Sequence, residues 1–266
     1  MRPLNIGGFM NVRGKTALIT GASRGIGKAI ALELAQQGAK CLILVARDRD
    51  RLNTVASEVE ALGIEAVSLP LDLSQTIEVN IAIAQVWRDF GPIDILVNCA
   101  GVAHQSSFLR SRFEDVQSEI EVNLLGMYAI TRMVARRMAT IRNGRIVNVS
   151  SLMGKVAAPT MATYSATKFA IVGFTQALRG ELAAYNIKVT ALLPSLTDTD
   201  MASNLEWFRW VSLMTPKQVA EALIAGLDRE TPEILVGWQS HLAVWCHRLF
   251  PFLMEKILLM AAPKVI

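Results

Sequence analysis

Short apolar runs alternate with longer segments of helical period along most of this chain. Residues 15–20, 41–46, 66–69, 93–98, 145–150, 188–193 and 234–236 have the length and Val/Ile/Leu content of buried strands. Between them, residues 26–37, 50–62, 74–89, 112–140, 162–184 and 216–227 carry apolar positions three and four apart, which predicts helices. Strands that are apolar on both faces must be covered on both faces, and helices joining parallel strands do so through right-handed crossovers. The pattern predicts an α/β fold: one doubly wound, Rossmann-type parallel sheet of about seven strands with helices on both faces. No linker, repeat or change of composition divides residues 1–266, so a single domain is expected, with 238–266 as an apolar helical extension.

Composition narrows the function classes. Apolar residues make up 52% and charged residues 19%, a greasy balance that a doubly covered sheet and the extension together explain. The net charge of +4 is not gathered into a basic block, which argues against nucleic-acid binding. Cys41, Cys99 and Cys246 are isolated, with no CxxC spacing, as reduced thiols in a cytoplasmic setting would be. His104, His241 and His247 form no ligand pattern, so no metal is expected. Residues 1–11 carry Arg2 and no apolar core of a secretory signal. No uncharged run reaches the length of about 18 residues that a membrane span needs.

The sharpest local signal follows the first strand. Thr20-Gly21-Ala22-Ser23-Arg24-Gly25-Ile26-Gly27 joins a strand to a helix, the context that a phosphate-binding turn requires. Gly21 permits the tight turn, Gly25 lets backbone approach a pyrophosphate, and Gly27 lets helix and strand pack closely. Ser23, Arg24 and Ile26 complete the turn, and the helix N-terminus supplies N–H groups and positive potential. A second signal is Tyr164 with Lys168, whose i,i+4 spacing puts both on one helical face. A free tyrosine, with a pKa of about 10, is a poor base at neutral pH. A neighbouring lysine cation favours the phenolate, and a tuned tyrosine can then give a proton to a developing alkoxide or take one back.

These motifs resemble the short-chain dehydrogenase/reductase family. The glycine spacing is that of its TGxxxGxG turn, and Tyr164/Lys168 are its YxxxK pair. Asn98-Cys99-Ala100-Gly101 resembles its NNAG, with Cys99 replacing an Asn, and Pro194-Ser195 followed by Thr199 resembles its PGxxxxT, with Ser195 replacing Gly. The resemblance covers about residues 14–236. It implies a cofactor site that includes Asp72 at the adenine, then Leu73, Asn98, Ala100 and Gly101, with Pro194 and Thr199 at the nicotinamide, and Tyr164 and Lys168. It also implies a catalytic tetrad of Asn123, Ser151, Tyr164 and Lys168. Ser151, thirteen residues before Tyr164, would polarise the substrate oxygen; Ser150 is the neighbouring candidate, and the family spacing selects Ser151. Asn123 would hold a water linking Lys168 to solvent, although an Asn in an apolar helix is otherwise a local kink residue.

The end of the second strand decides between NAD and NADP. An acid there would bind the ribose hydroxyls and repel a 2′-phosphate. Ala46 stands in that position, Arg47 follows it, and Arg24 lies in the glycine turn, so two guanidiniums favour NADP(H). The alternatives are two solvated arginines, or Asp48 taking the acid's role.

For the substrate, residues 102–108, 152–161 and 199–214 are expected to border the pocket. The last of these holds Met201, Trp207, Phe208, Trp210 and Met214, an adaptable apolar cover or else simple packing onto the core or another subunit. A small apolar ketone or secondary alcohol is the expected substrate, interconverted by hydride transfer with Tyr164 as acid/base. The runner-up is a 3-oxoacyl-[acyl-carrier-protein] reductase, for which Arg132, Arg136, Arg137 and Arg142 would offer a basic surface to an acidic carrier. Such reductases end close to the seventh strand, whereas Val236-Gly237-Trp238 here leads into a long apolar tail. A non-enzymatic NADP-binding regulator is a third reading, disfavoured by the complete tetrad. The resemblance implies a homo-oligomer, a dimer or tetramer built on 112–140 and 162–184. In the tail, Pro251 is expected to separate two helices, and Arg248, Glu255, Lys256 and Lys264 argue against a membrane span. The tail either packs over the pocket mouth or a subunit interface, or makes peripheral membrane contact with Trp238 and Trp245 at the headgroups.

Overall fold

The computed structural model describes residues 12–263; the stretch 1–11, read above for a signal, and Lys264 lie outside them. Seven strands, β1 (Thr16–Thr20), β2 (Cys41–Ala46), β3 (Glu65–Pro70), β4 (Ile95–Asn98), β5 (Gly144–Val149), β6 (Ile187–Leu193) and β7 (Glu233–Leu235), form one sheet in the order β3-β2-β1-β4-β5-β6-β7. Every pair is parallel. The doubly wound sheet expected from the apolar pattern is present, and its winding reverses between β1 and β4. At such a switch point the loops at the carboxyl ends splay apart and leave a crevice.

Alternate residues of each strand feed two cores. Ile19, Leu42, Leu44 and Val97 pack with Ile30 and Leu34 of α1 (Gly25–Gln36), Leu52 and Val59 of α2 (Arg49–Glu60), and Val219 and Leu223 of α8 (Pro216–Asp228). On the other face Leu18, Ile43, Leu96 and Ile146 meet Val79 and Ile83 of α3 (Thr76–Phe90) and Ile130, Val134 and Met138 of α5 (Met127–Ile141). Leu178 and Leu182 of α6 (Ala162–Ala183) pack against that same core. This face also buries a polar chain. Asn98 Nδ2 donates to Thr131 Oγ1 and to Asn148 Oδ1, each at 2.8 Å, and Asn148 Nδ2 donates to Thr175 Oγ1 at 2.9 Å.

The long helix expected over 112–140 is interrupted. α4 (Phe113–Ile120) passes into a π-helical turn, Glu121–Gly126, before α5 begins. The wider turn presents Asn123 inward and lets Gly126 approach Leu73, where an added Cβ would lie 2.7 Å from the Leu73 Cβ. Such turns recur at functional sites. Beyond β6 lie the short helix α7 (Asp200–Ser203) and, after β7, the extension: α9 (Trp238–Leu249) and α10 (Pro251–Ala261), divided at Pro251 as expected.

Candidate active site and cofactor cradle

The cradle begins where β1 meets α1. Arg24 precedes the helix in extended conformation and no side chain caps it, so the first N–H groups of α1 have no side-chain acceptor. Gly21 has φ +68°, and a Cβ there would sit 2.8 Å from the Ala100 Cα. Gly25 has φ +56°, and its Cβ would press on Thr199 Cγ2 at 3.0 Å. Thr20 Oγ1 accepts from both Cys99 N and Ala100 N at 3.0 Å. The glycine turn, the 98–101 segment and Thr199 therefore converge on one groove that only bare backbone leaves open. Open N–H donors beside such a groove fit a dinucleotide pyrophosphate.

Around the groove the expected cofactor residues divide by what their side chains do. Ser23 and Ile26 are half-buried beside it. Asp72, past the end of β3, accepts from Ser74 N and Oγ at 3.0 and 2.9 Å, while Leu73 is buried. Asn98 commits its amide to the buried polar chain, so it borders the groove through backbone alone. Pro194 is buried and its carbonyl accepts from Leu152 N at 2.8 Å. Arg47 is exposed at the end of β2. Asp48, the alternative ribose-binding acid, instead caps α2 by accepting from Arg51 N at 3.1 Å. The sequence reading did not include Arg51, whose Nη1 meets Asp200 Oδ2 at 2.8 Å beside Arg24 Nη1 at 3.0 Å.

The four expected catalytic residues meet at the carboxyl ends of β4 and β5. Lys168 is buried on α6; its Nζ donates to the Val149 carbonyl at 3.2 Å and lies 5.3 Å from the Tyr164 ring centroid. Asn123 Oδ1 accepts from Val102 N at 2.8 Å, and its Nδ2 donates to Val102 O at 3.0 Å and Thr167 Oγ1 at 3.1 Å. The amide thus clamps the 101–102 loop against α6. Ser150 Oγ is buried and donates to the Lys168 carbonyl at 2.8 Å. Ser151 Oγ accepts from Met153 N at 3.1 Å and lies against the Tyr164 phenol. Both serines border the cleft, but only the Ser151 hydroxyl reaches the tyrosine.

Burial sets the protonation states. It pushes the Tyr164 phenol up to about 12, against the lowering effect of the Ser151 hydrogen bond. Burial also brings Lys168 down to about 8 and pushes the Cys99 thiol up to about 12. Glu119 of α4, buried beneath the site and accepting from His104 N at 2.6 Å, is raised by the same loss of solvent. At neutral pH the tyrosine is a proton donor beside a mostly charged lysine.

Ser151 and Tyr164 open onto a cleft of about 420 Å³. The 152–161 and 199–214 segments line it as expected, but from 102–108 only Ala103 and Gln105 do so. Phe108 is instead exposed on a short turn of its own. The extension forms a further wall through Trp238, Leu242, Met254 and Leu258. Backbone and amide bonds fasten that wall to the loop: Arg209 N to Ala261 O at 2.9 Å, and Ser212 N to Gln239 Oε1 at 2.9 Å. Gln105 holds the loop's other side, accepting from Glu206 N at 2.7 Å and donating to Glu206 O at 3.1 Å. Neither Gln105 nor Gln239 carries a sequence signal of its own.

A dinucleotide groove that ends at a tyrosine, a lysine and a serine defines an oxidoreductase of the hydride-transferring class. The chain belongs to the short-chain dehydrogenase/reductase family, whose model, described as short chain dehydrogenase, matches residues 15–209. It is similar to a 3-oxoacyl-[acyl-carrier-protein] reductase of Synechocystis sp., 39% identical over 191 residues, 72% of this chain and 77% of the relative. Among solved structures it is similar to a short-chain dehydrogenase from Sphingobium yanoikuyae in complex with NADPH, with 28% identity and a TM-score of 0.78. That match covers 95% of this chain and 98% of the other. A short-chain dehydrogenase from Burkholderia cenocepacia in complex with NADP gives 26% identity, a TM-score of 0.83 and coverage of 96% and 100%. Both neighbours hold the cofactor expected here, NADP(H). Their coverage is too high to omit all of 238–266, so at least part of the extension falls within each match.

Proposed function

We propose that this chain interconverts a small apolar ketone and its secondary alcohol with NADP(H), in a single catalytic domain spanning 1–266 whose extension, 238–266, shapes the substrate cleft. The observation that carries this reading is the contrast inside the cleft: Ser151 and Tyr164 supply hydroxyls at one end, while Met153, Val156, Met161, Leu205, Trp238 and Leu258 are among the apolar side chains that dominate the rest, with Gln105, Glu206 and Gln239 at the loop. Such walls reject a sugar, whose hydroxyls would be desolvated without partners. The bound cofactor supplies or accepts the hydride. Ser151 hydrogen-bonds the substrate oxygen, and Tyr164, protonated at neutral pH, gives that oxygen its proton as the alkoxide develops. Lys168 steadies the phenolate left behind. Asn123 keeps the 101–102 loop pressed to the site, and Arg24, Arg47 and Arg51 receive the 2′-phosphate. The test is a series of ketones of graded size and polarity with NADPH. Turnover should rise with apolar bulk until the cleft is filled; preference for small polyhydroxylated carbonyls would overturn the reading.

A 3-oxoacyl chain on a carrier is the second reading, favoured by the 39% identity to the Synechocystis reductase. Of the four arginines expected to receive a carrier, Arg137 Nη1 donates to Met133 O at 3.0 Å and Arg142 Nη2 to Ala184 O at 2.8 Å, which leaves Arg132 and Arg136 outward. A carrier-linked substrate used no better than its free thioester would exclude this reading.

Two surfaces complete the proposal. Exposed Leu125, Tyr128 and Phe169 near α5 and on α6 are the contacts of a homo-oligomer, measurable as mass in solution by light scattering. On α9, Trp238, Leu242, Trp245 and Leu249 recur at helical spacing and are each at least half exposed. Among the described residues no helix is long and apolar enough to cross a membrane. We infer from that exposed stripe that the extension rests on a membrane surface, from which an apolar substrate passes to the cleft that it walls.

A further inference from the structure

Asp200 opens α7, at the start of the loop that covers the substrate cleft and one residue beyond Thr199. Its Oδ2 receives Arg24 Nη1 and Arg51 Nη1 together, partners 176 and 149 residues away in the chain. Arg24 belongs to the glycine turn and Arg51 to the start of α2, so the pair stands over the end of β2, where Ala46 replaces an acid. Two planar guanidiniums closing on one oxygen anion is how a phosphate monoester is bound. A carboxylate from the substrate loop stands in that position.

We propose that Asp200 is an internal competitor of the NADP(H) 2′-phosphate: the two anions contend for Arg24 and Arg51, so NADP(H), but not NAD(H), unfastens the start of the substrate loop. The inference rests on assigning the 2′-phosphate to this end of β2. The two guanidiniums hold the Asp200 carboxyl below its usual range, so it stays charged under working conditions. With a dianionic phosphate beside it, the carboxylate is repelled by a group of its own sign. Arg24, Asp200 and Arg51 have side chains 54%, 49% and 52% exposed, and ion pairs so open to water are weak enough to exchange. Coupling of this kind is reciprocal: if the phosphate loosens the loop, the fastened loop must weaken NADP(H) binding. NAD(H), without the phosphate, leaves the fastening alone.

The test is direct binding of NADPH and NADH, followed by cofactor fluorescence, to the parent protein, Asp200→Asn and Arg51→Gln. Asp200→Asn should tighten NADPH by about two- to fivefold, the worth of an exposed ion pair, with NADH unchanged; Arg51→Gln should weaken NADPH alone. Trypsin reads the loop independently, because Arg209 is exposed within it. Cleavage after Arg209 should be faster in Asp200→Asn than in the parent without cofactor, and in the parent faster with NADPH than with NADH. Unchanged or weaker NADPH binding in Asp200→Asn overturns the competition. If Arg51→Gln alone shifts the NADPH/NADH preference, the phosphate site stands and only the competition is refuted. If neither variant shifts it, the assignment of the phosphate fails as well.

Discussion

Replacing Lys168 with Met would remove the charge beside Tyr164 while keeping a side chain of similar reach. Lys168 is buried, 5% exposed, and its ammonium lies 5.3 Å from the tyrosine ring centroid. Over that distance, with an effective dielectric of about 20, an ammonium–phenolate attraction is worth about 3 kcal/mol, or about 2 pKa units. Burial already holds the phenol at about 12 without cofactor. Losing the cation moves it further from the phenolate, the form that takes a proton from an alcohol. At a fixed pH below about 8, where Lys168 is still charged, alcohol oxidation should fall by about 100-fold. Ketone reduction draws on the phenol and should fall less. The assay is kcat/KM for alcohol oxidation from neutral pH to well above 8 at saturating NADP+, with NADPH binding measured in parallel. The gap between variant and parent should be widest below about 8 and close above it, where Lys168 has lost its own charge. If the gap is the same on both sides of that pH while both directions fall equally, Lys168 acts by holding the cofactor and not through its charge on Tyr164.

Tyr164→Phe should cut ketone reduction by about 10²–10⁴-fold with NADPH affinity near that of the parent; retention of more than half the activity would remove Tyr164 from the acid/base role. Because burial lowers Lys168 to about 8, its cation is lost earlier than that of a free lysine, so reduction should decline as pH rises through about 8. A profile that stays flat until the ordinary lysine range would show that another group sets it. Trp245→Ser with Leu249→Ser, exposed residues of α9 that do not line the cleft, should abolish sedimentation with anionic liposomes and leave turnover of a water-soluble ketone intact; undiminished sedimentation would dismiss α9 as the membrane-facing element.

Local patterns carried the sheet and much of the site because both are written in local terms. A buried parallel strand shows as an apolar run wherever it falls, and the glycine turn shows because only a missing Cβ lets Gly21 pass Ala100. Tyr164 and Lys168 share a helix, so four residues of spacing suffice to place them together. What stayed hidden depends on contacts between distant segments. The π turn at 121–126 adds a residue to a helix without breaking its apolar period, so 112–140 reads as continuous. Arg51 is one polar residue on a polar helical face, and nothing nearby predicts that Asp200 meets it. Asn98 is recognisable as part of a cofactor motif, yet its amide is turned to Thr131 and Asn148 by packing that no motif encodes. The wall formed by α9 and α10 was one of two readings of a greasy tail, and only the bonds from Arg209 and Ser212 single it out.

The buried polar chain through Asn98 and Asn148 also limits how the sheet can be assembled. The two asparagines are direct register partners on neighbouring parallel strands, within runs otherwise made of interchangeable Ile, Leu and Val. Apolar side chains alone would tolerate β5 sliding along β4 by two residues, since each face would still be greasy. Sliding by two would set Asn98 beside Ile146 or Ser150 and part the two amides from each other in a dry interior. Each buried amide left unpaired costs about 1–3 kcal/mol, more than a slipped register could recover. The chain of amides and hydroxyls thus acts as a key that admits one alignment. That alignment brings the ends of β4 and β5 level and sets the segments bearing Gly101 and Ser151 at the same edge of the sheet.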